Sequence, residues 1–135
     1  MPLDQPQEIE FELPWLPPPE VRGNSRSHWS KKYRASKALR ESGYAHGLEA
    51  LDKGHSPMPK ASITFVFRHW RRVDLDNFQI GMKGWVDGLV DSGILPDDSP
   101  DHLLYDGAYF TKVKKGNEGV SVKLRERDSR CTKRT

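Results

Sequence analysis

The run Glu8-Ile9-Glu10-Phe11-Glu12-Leu13 alternates charged and apolar residues without a break. Only an extended backbone, whose side chains point to opposite faces in turn, puts Ile9, Phe11 and Leu13 together. It therefore reads as a half-buried strand. A second run, Ala61 to Phe67, places Ile63, Phe65 and Phe67 on one face in the same way. Between the two, prolines 14, 17, 18 and 19 with Gly23 enforce an extended loop, and the proline-free stretch from about His28 to Lys53 is rich in helix formers. Ala38, Leu39, Ser42, Ala45 and Leu48 are its expected inner stripe, with Gly43 and Gly47 counting against helix.

A second helix is expected from about Asn77 to Ser92, stopped by Gly93. Phe78, Met82, Trp85 and Leu89 share one side of it, and Asp76, Ile80, Lys83 and Asp87 lie nearly opposite. Gly81, Gly84 and Gly88 form a third stripe. Each costs about 1 kcal/mol relative to alanine in a helix, which points to close approach by a sheet or a second subunit. Strands at Leu103 to Val113 and Val120 to Glu126 flank Lys115-Gly116-Asn117, the signature of a hairpin. The order β-α-β-α-β-β describes a single α+β domain, residues 1–126, with a mixed sheet packed by two helices and a polar tail at 127–135.

Cys131 is the only cysteine, so no intrachain disulfide can form. The N-terminus lacks the basic-then-apolar pattern of a secretory signal, and no apolar stretch approaches the roughly 20 residues that span a bilayer. A soluble, cytoplasmic protein without a membrane partner or organic cofactor is expected, encoded by a bacterium or a phage.

The net charge of +3 conceals segregation. Asp74 to Asp106 carries eight acidic residues and one basic, Lys83, whereas Arg22 to Arg40 carries seven basic residues and no acidic one. A basic surface beside an acidic pocket suits a metal-dependent enzyme acting on a polyanion; two ordinary solvated faces would give the same count.

Arg71-Arg72-Val73-Asp74-Leu75-Asp76-Asn77 is the informative stretch. On an extended backbone Asp74 and Asp76 project to the same side, and their mutual repulsion favours a cation between them. Oxygen-only ligands suit Mg²⁺, or Mn²⁺ in its place, and no His/Cys spacing argues for zinc. A third carboxylate from Asp97-Asp98 would complete the site. Against this stand ordinary structural roles: Asp76 or Asn77 as a helix cap, and Asp97-Asp98-Ser99-Pro100 as a turn. An EF-hand loop counted from Asp74 is excluded, since its sixth position is Gln79 and its twelfth Trp85.

Taken together, Arg71 to Pro100 (RRVDLDNFQIGMKGWVDGLVDSGILPDDSP), the upstream Leu13 to Pro19 (LPWLPPP), Asn24 and His28-Trp29 resemble the RusA family of Holliday junction resolvases over about Glu8 to Glu126. The resemblance implies Mg²⁺-dependent phosphodiester hydrolysis at four-way DNA junctions, leaving 5′-phosphate and 3′-hydroxyl ends, by a homodimer making paired cuts in recombination and repair. It assigns metal-binding and catalytic roles to Asp74, Asp76 and Asp98, with Asp97 as the alternative third ligand, and an essential lysine to Lys83. Lys83 lies seven residues after Asp76, where the shortest form of the pattern has four; on a helix both spacings return to nearly one face. Arg22, Arg26, Lys31, Lys32, Arg34, Arg71 and Arg72 are the candidate DNA contacts, and Trp29, Trp70 and Trp85 the candidate base-stacking residues, with Trp85 also suited to the core. Two other readings share these residues. One is a branched-DNA-binding protein that does not cut; the other is a phosphohydrolase of small nucleotides, for which the Arg22 to Arg40 run is larger than needed.

Overall fold

The structure, a computed structural model, describes residues 6–127, so Cys131 and positions 128–135 of the expected tail lie outside the described residues. The chain forms an α+β domain. The elements are β1 (Glu8–Leu13), a one-turn 3₁₀ helix (Pro19–Val21), α1 (Trp29–Asp52), β2 (Ala61–His69), α2 (Leu75–Gly81), α3 (Lys83–Ser92), β3 (Leu103–Lys112) and β4 (Gly119–Glu126). They build one mixed four-stranded sheet in the order β1-β4-β2-β3. β4 runs antiparallel to both β1 and β2, and β2 pairs with β3 in parallel.

The strand alternation holds. Ile9, Phe11 and Leu13, then Ile63, Phe65 and Phe67, then Val120, Val122 and Leu124 are buried on one face of the sheet. The helices supply the other half of the core: Trp85 of α3 meets Phe11 edge-on at 5.2 Å between ring centroids, and Phe78 of α2 meets Phe67 at 5.5 Å. Trp85 is fully buried, which makes it a core residue rather than a base-stacking one.

Three expectations need correction. The turn at Lys115-Gly116-Asn117 exists, with Gly116 at φ 103° and Asn117 N–H donating to the Lys114 carbonyl, but β3 and β4 do not form a hairpin. β2 lies between them. Strand partners follow burial rather than the local turn: β2 and β4, apolar at every second residue, take the centre, and the largely exposed β3 takes an edge.

Secondly, the inner stripe of α1 is Leu39, Gly43, Gly47 and Ala50, while Ala38, Ala45 and Leu48 are exposed. The two glycines that weighed against helix are its packing surface. A Cβ on Gly43 would collide with the carbonyl oxygen of Trp85 and lie 2.9 Å from the carbonyl carbon; one on Gly88 would lie 2.6 Å from the Tyr44 nitrogen. Backbone meets backbone here, which only glycine permits. The glycine stripe thus serves the α1–α3 contact inside one chain, with Gly81 against Pro17, and it no longer argues for a second subunit.

Thirdly, the second helix begins at Leu75 and is broken at Met82 (φ −86°, ψ −4°), giving α2 and α3. Its faces are nonetheless as expected: Phe78, Met82, Trp85 and Leu89 are buried, and Asp76, Ile80 and Lys83 are exposed. Gly93 ends α3 in the left-handed conformation. Beyond β4, the Arg127 N–H donates to the Lys60 carbonyl and its side chain to the Ala61 carbonyl. No helix among the described residues is long and apolar enough to cross a membrane.

Candidate functional site

Asp74 does not lie on a strand beside Asp76. It is the N-cap of α2: one carboxylate oxygen accepts from the Asn77 backbone N–H at 3.2 Å, the other from the Asn77 side-chain amide at 2.9 Å. Aspartate is a favoured cap because it satisfies an amide that the first turn leaves without a partner. Capping starts the helix at Leu75 and places Asp76 in the first turn, so the extended same-side arrangement of the two carboxylates is not formed.

Asp76 instead faces a cavity of about 620 Å³, lined also by Gln79, Ile80, Lys83, Asp98 and Tyr105. These six residues come from α2, the start of α3, the loop after α3, and β3. Lys83 donates to Asp98 at 2.9 Å and lies 3.6 Å from Asp87. The Asp98 hydrogen bond raises the Lys83 pKa, with Asp87 adding to it and partial burial opposing; reciprocally, the Lys83 hydrogen bond holds the Asp98 carboxyl below its usual range. Asp97 turns away to accept from the Asp98 N–H at 2.8 Å, a local turn contact, and does not line the cavity. Asp98 is therefore the member of the pair that reaches the cavity.

Tyr105 was not legible as a site residue. It lies opposite Ile63 in the β2–β3 register, one residue before the irregularity that shifts the pairing at Thr64. Desolvation pushes its phenol above the usual value, Asp98 and Asp87 add to this, and Lys83 opposes it.

The donor set suits Mg²⁺ in a limited way. Among the described residues no three acidic, histidine or cysteine side chains are gathered to hold a metal. The three-carboxylate cage of Asp74, Asp76 and Asp98 is thus not assembled. Two carboxylates, Asp76 and Asp98, do share the cavity, and Mg²⁺ is commonly held by one or two carboxylates, with waters and substrate phosphate completing its shell.

The candidate DNA contacts fall into separate groups. Arg22 is half-buried: its Nε donates to the Pro17 carbonyl at 2.9 Å and its guanidinium lies 4.2 Å over Phe78, while burial lowers its pKa. Lys32 lines a second cavity beside the first; Arg26, Lys31 and Arg34 are exposed and outside it. Arg71 stacks on Trp70 at 4.5 Å, Lys115 lies 5.1 Å from the same ring, and His69 stacks against it at 5.3 Å. Trp70 is thereby a platform that holds cations at the end of β2. Arg72 is exposed there and has no ion pair among the described residues.

No family model matches the chain, and no curated protein matches it.

Proposed function

We propose that this chain is a structure-selective endodeoxyribonuclease that hydrolyses phosphodiester bonds at four-way DNA junctions with Mg²⁺, as its resemblance to the RusA family implies. The observation that carries the reading is that Asp98, from the loop after α3, converges with Asp76 and Lys83 on one open cavity. A hydrolase for a polyanion needs acidic groups for a cation and a basic group for the phosphate in the same place.

In this reading Asp76 and Asp98 hold the ion. When bound, Mg²⁺ supplies a Lewis acid that lowers the pKa of a coordinated water and offsets charge on the phosphate. Lys83 is charged throughout the neutral range, its pKa raised by Asp98, and it balances the negative charge of the scissile phosphate. Asp87 holds the Lys83 ammonium from the α3 side, a positioning role. Asp74 orders the first turn of α2, on which Asp76 is carried. Paired cuts would require a homodimer.

The test is cleavage of a synthetic four-way junction in Mg²⁺ against EDTA. Wild type cuts only with Mg²⁺. Asp76→Asn and Asp98→Asn bind the junction at least as tightly as wild type, because each removes a negative charge, but fail to cut it. Wild-type cutting by either variant refutes the site.

Two observations favour a second reading, a protein that holds branched DNA without cutting it. Asp98 is already neutralised by Lys83, and no three-ligand metal group stands among the described residues. Tight junction binding without cleavage in Mg²⁺ or Mn²⁺ would establish that alternative.

A further inference from the structure

A second cavity, about 530 Å³, lies between the 3₁₀ helix, the N-terminal half of α1 and the α2–α3 junction. It shares Ile80 and Lys83 with the Asp76–Asp98 cavity, so the two adjoin across that pair of side chains.

Lys32, Tyr33 and Lys37 of α1 line the second cavity, and Trp29 precedes them one turn earlier on the same helix. Trp29, Tyr33 and Lys37 recur every four residues and form one row along the helix. Trp29 is 72% exposed and Tyr33 61%, the two most exposed large apolar side chains among the described residues. A lone exposed aromatic needs no explanation; two in line, flanked by lysines beside a concavity, do. Lys32 and Lys37 have no ion pair among the described residues. The groove's other cations have partners in the free protein, and Lys83 belongs to the adjoining cavity as well. Arg40 is held by Asp91 through two hydrogen bonds, Arg22 by the Pro17 carbonyl, and Lys83 by Asp98.

From this we infer that the groove is a track for unpaired nucleotides: one strand of DNA lies along α1, a base stacks on Tyr33, and flanking phosphates meet Lys32 and Lys37. Interleaved aromatic and basic side chains are how proteins hold single strands, since every base has a π-face and every linkage a charge. Stacking on Tyr33 calls for an unpaired base, because the faces of bases in a duplex are covered by their neighbours. Trp29 extends the row towards the N-terminal end of α1.

The inference deepens the proposed hydrolase reading, to which it adds that the strand entering the Asp76–Lys83–Asp98 cavity is unpaired on the α1 side. It does not need cleavage to be tested. Binding of a short fluorescein-labelled oligothymidylate and of a duplex of equal length is measured by fluorescence anisotropy in EDTA. Wild type is expected to prefer the single strand. Tyr33→Ala should weaken that binding by at least about fivefold, the low end for one stacked base. Lys32→Ala and Lys37→Ala should each flatten its log–log salt dependence by about 0.7. Lys53→Ala, at the far end of the same helix, should change neither. Equal binding of strand and duplex, or wild-type affinity in Tyr33→Ala together with wild-type salt slopes in both lysine variants, overturns the inference. Junction cutting by such a protein would leave the hydrolase reading intact. Conversely, strand binding through Tyr33 without any cutting would sustain the groove and remove the nuclease.

Discussion

The contact between α1 and α3 should fail if either helix gains a single methyl group at its centre. An alanine Cβ at Gly88 would lie 2.6 Å from the Tyr44 nitrogen and collide with the Arg40 carbonyl oxygen, and one at Gly43 would collide with Trp85. Ordinary contact begins at 3.4 Å, so the helices must part by the difference between 3.4 and 2.6, about 0.8 Å or more. The obstructing atoms are backbone and cannot rotate away. A gap of that size forfeits roughly a quarter to a half of the dispersion energy of each contact it opens. The seam includes Leu39, Trp85 and Leu89, all in the core. Overpacking of this kind costs about 3 kcal/mol at the upper end of its usual range, and the higher helix propensity of alanine returns about 1 kcal/mol. The net loss is about 2 kcal/mol, equivalent to a fall in Tm of roughly 6–10 °C for a domain of this size. Thermal and urea unfolding followed by circular dichroism would measure it for Gly43→Ala and Gly88→Ala. Gly84→Ala is the internal comparison, since its Cβ would lie 3.2 Å from the Ser36 carbonyl oxygen and needs only a small adjustment. A Gly43→Ala protein as stable as wild type would refute the packing argument. Should it also lose a dimer without losing stability, the glycines would belong to a subunit interface after all.

Further outcomes follow from the site. Asp74→Ala, which removes the cap of α2, should cost about 1 kcal/mol, whereas Asp74→Asn, also a good cap, should keep stability near wild type in thermal unfolding; equal losses in both would show that the cap is not what Asp74 provides. The Asp98 carboxyl, followed by NMR, should titrate below its ordinary value of 3.8. Because the folded pKa is the lower one, the Asp98–Lys83 pair contributes stability above that ordinary value and loses it as pH falls through the lowered folded value. Lys83→Met should return the midpoint towards 3.8, and an unmoved midpoint would show that Lys83 is not the cause. For junction binding in EDTA, Arg72→Ala should flatten the log–log salt dependence by about 0.9 if the residue meets a phosphate, while Arg22→Ala, whose guanidinium is tied to Pro17 and Phe78, should lower Tm with little change in slope. The reverse pattern would exchange their roles.

The amino-acid sequence by itself determined what depends on near neighbours and on which residues avoid water. Strands β1, β2 and β4 are written as two-residue alternations, and the buried and exposed faces of α2 and α3 as a helical period, because burial acts on each side chain at fixed angular intervals. Lys83 and the Asp97-Asp98 pair could be named as candidates from their motif positions. What required the tertiary structure was every decision made by a distant partner. The turn at Gly116 was visible, yet it could not reveal that β2 would intervene between β3 and β4, since competition for the sheet centre involves four strands at once. Gly43 and Gly47 counted against a helix, and the close approach suggested by Gly84 and Gly88 had no named partner, because a glycine's use is measured only by what comes close to it. Asp74 and Asp76 could be read as strand neighbours, or Asp76 or Asn77 as a cap, and two local bonds from Asn77 to Asp74 decided for a helix capped earlier, at Asp74. The choice of Asp98 over Asp97, and the entry of Tyr105, rest on where a loop and an edge strand are held by the core beneath them.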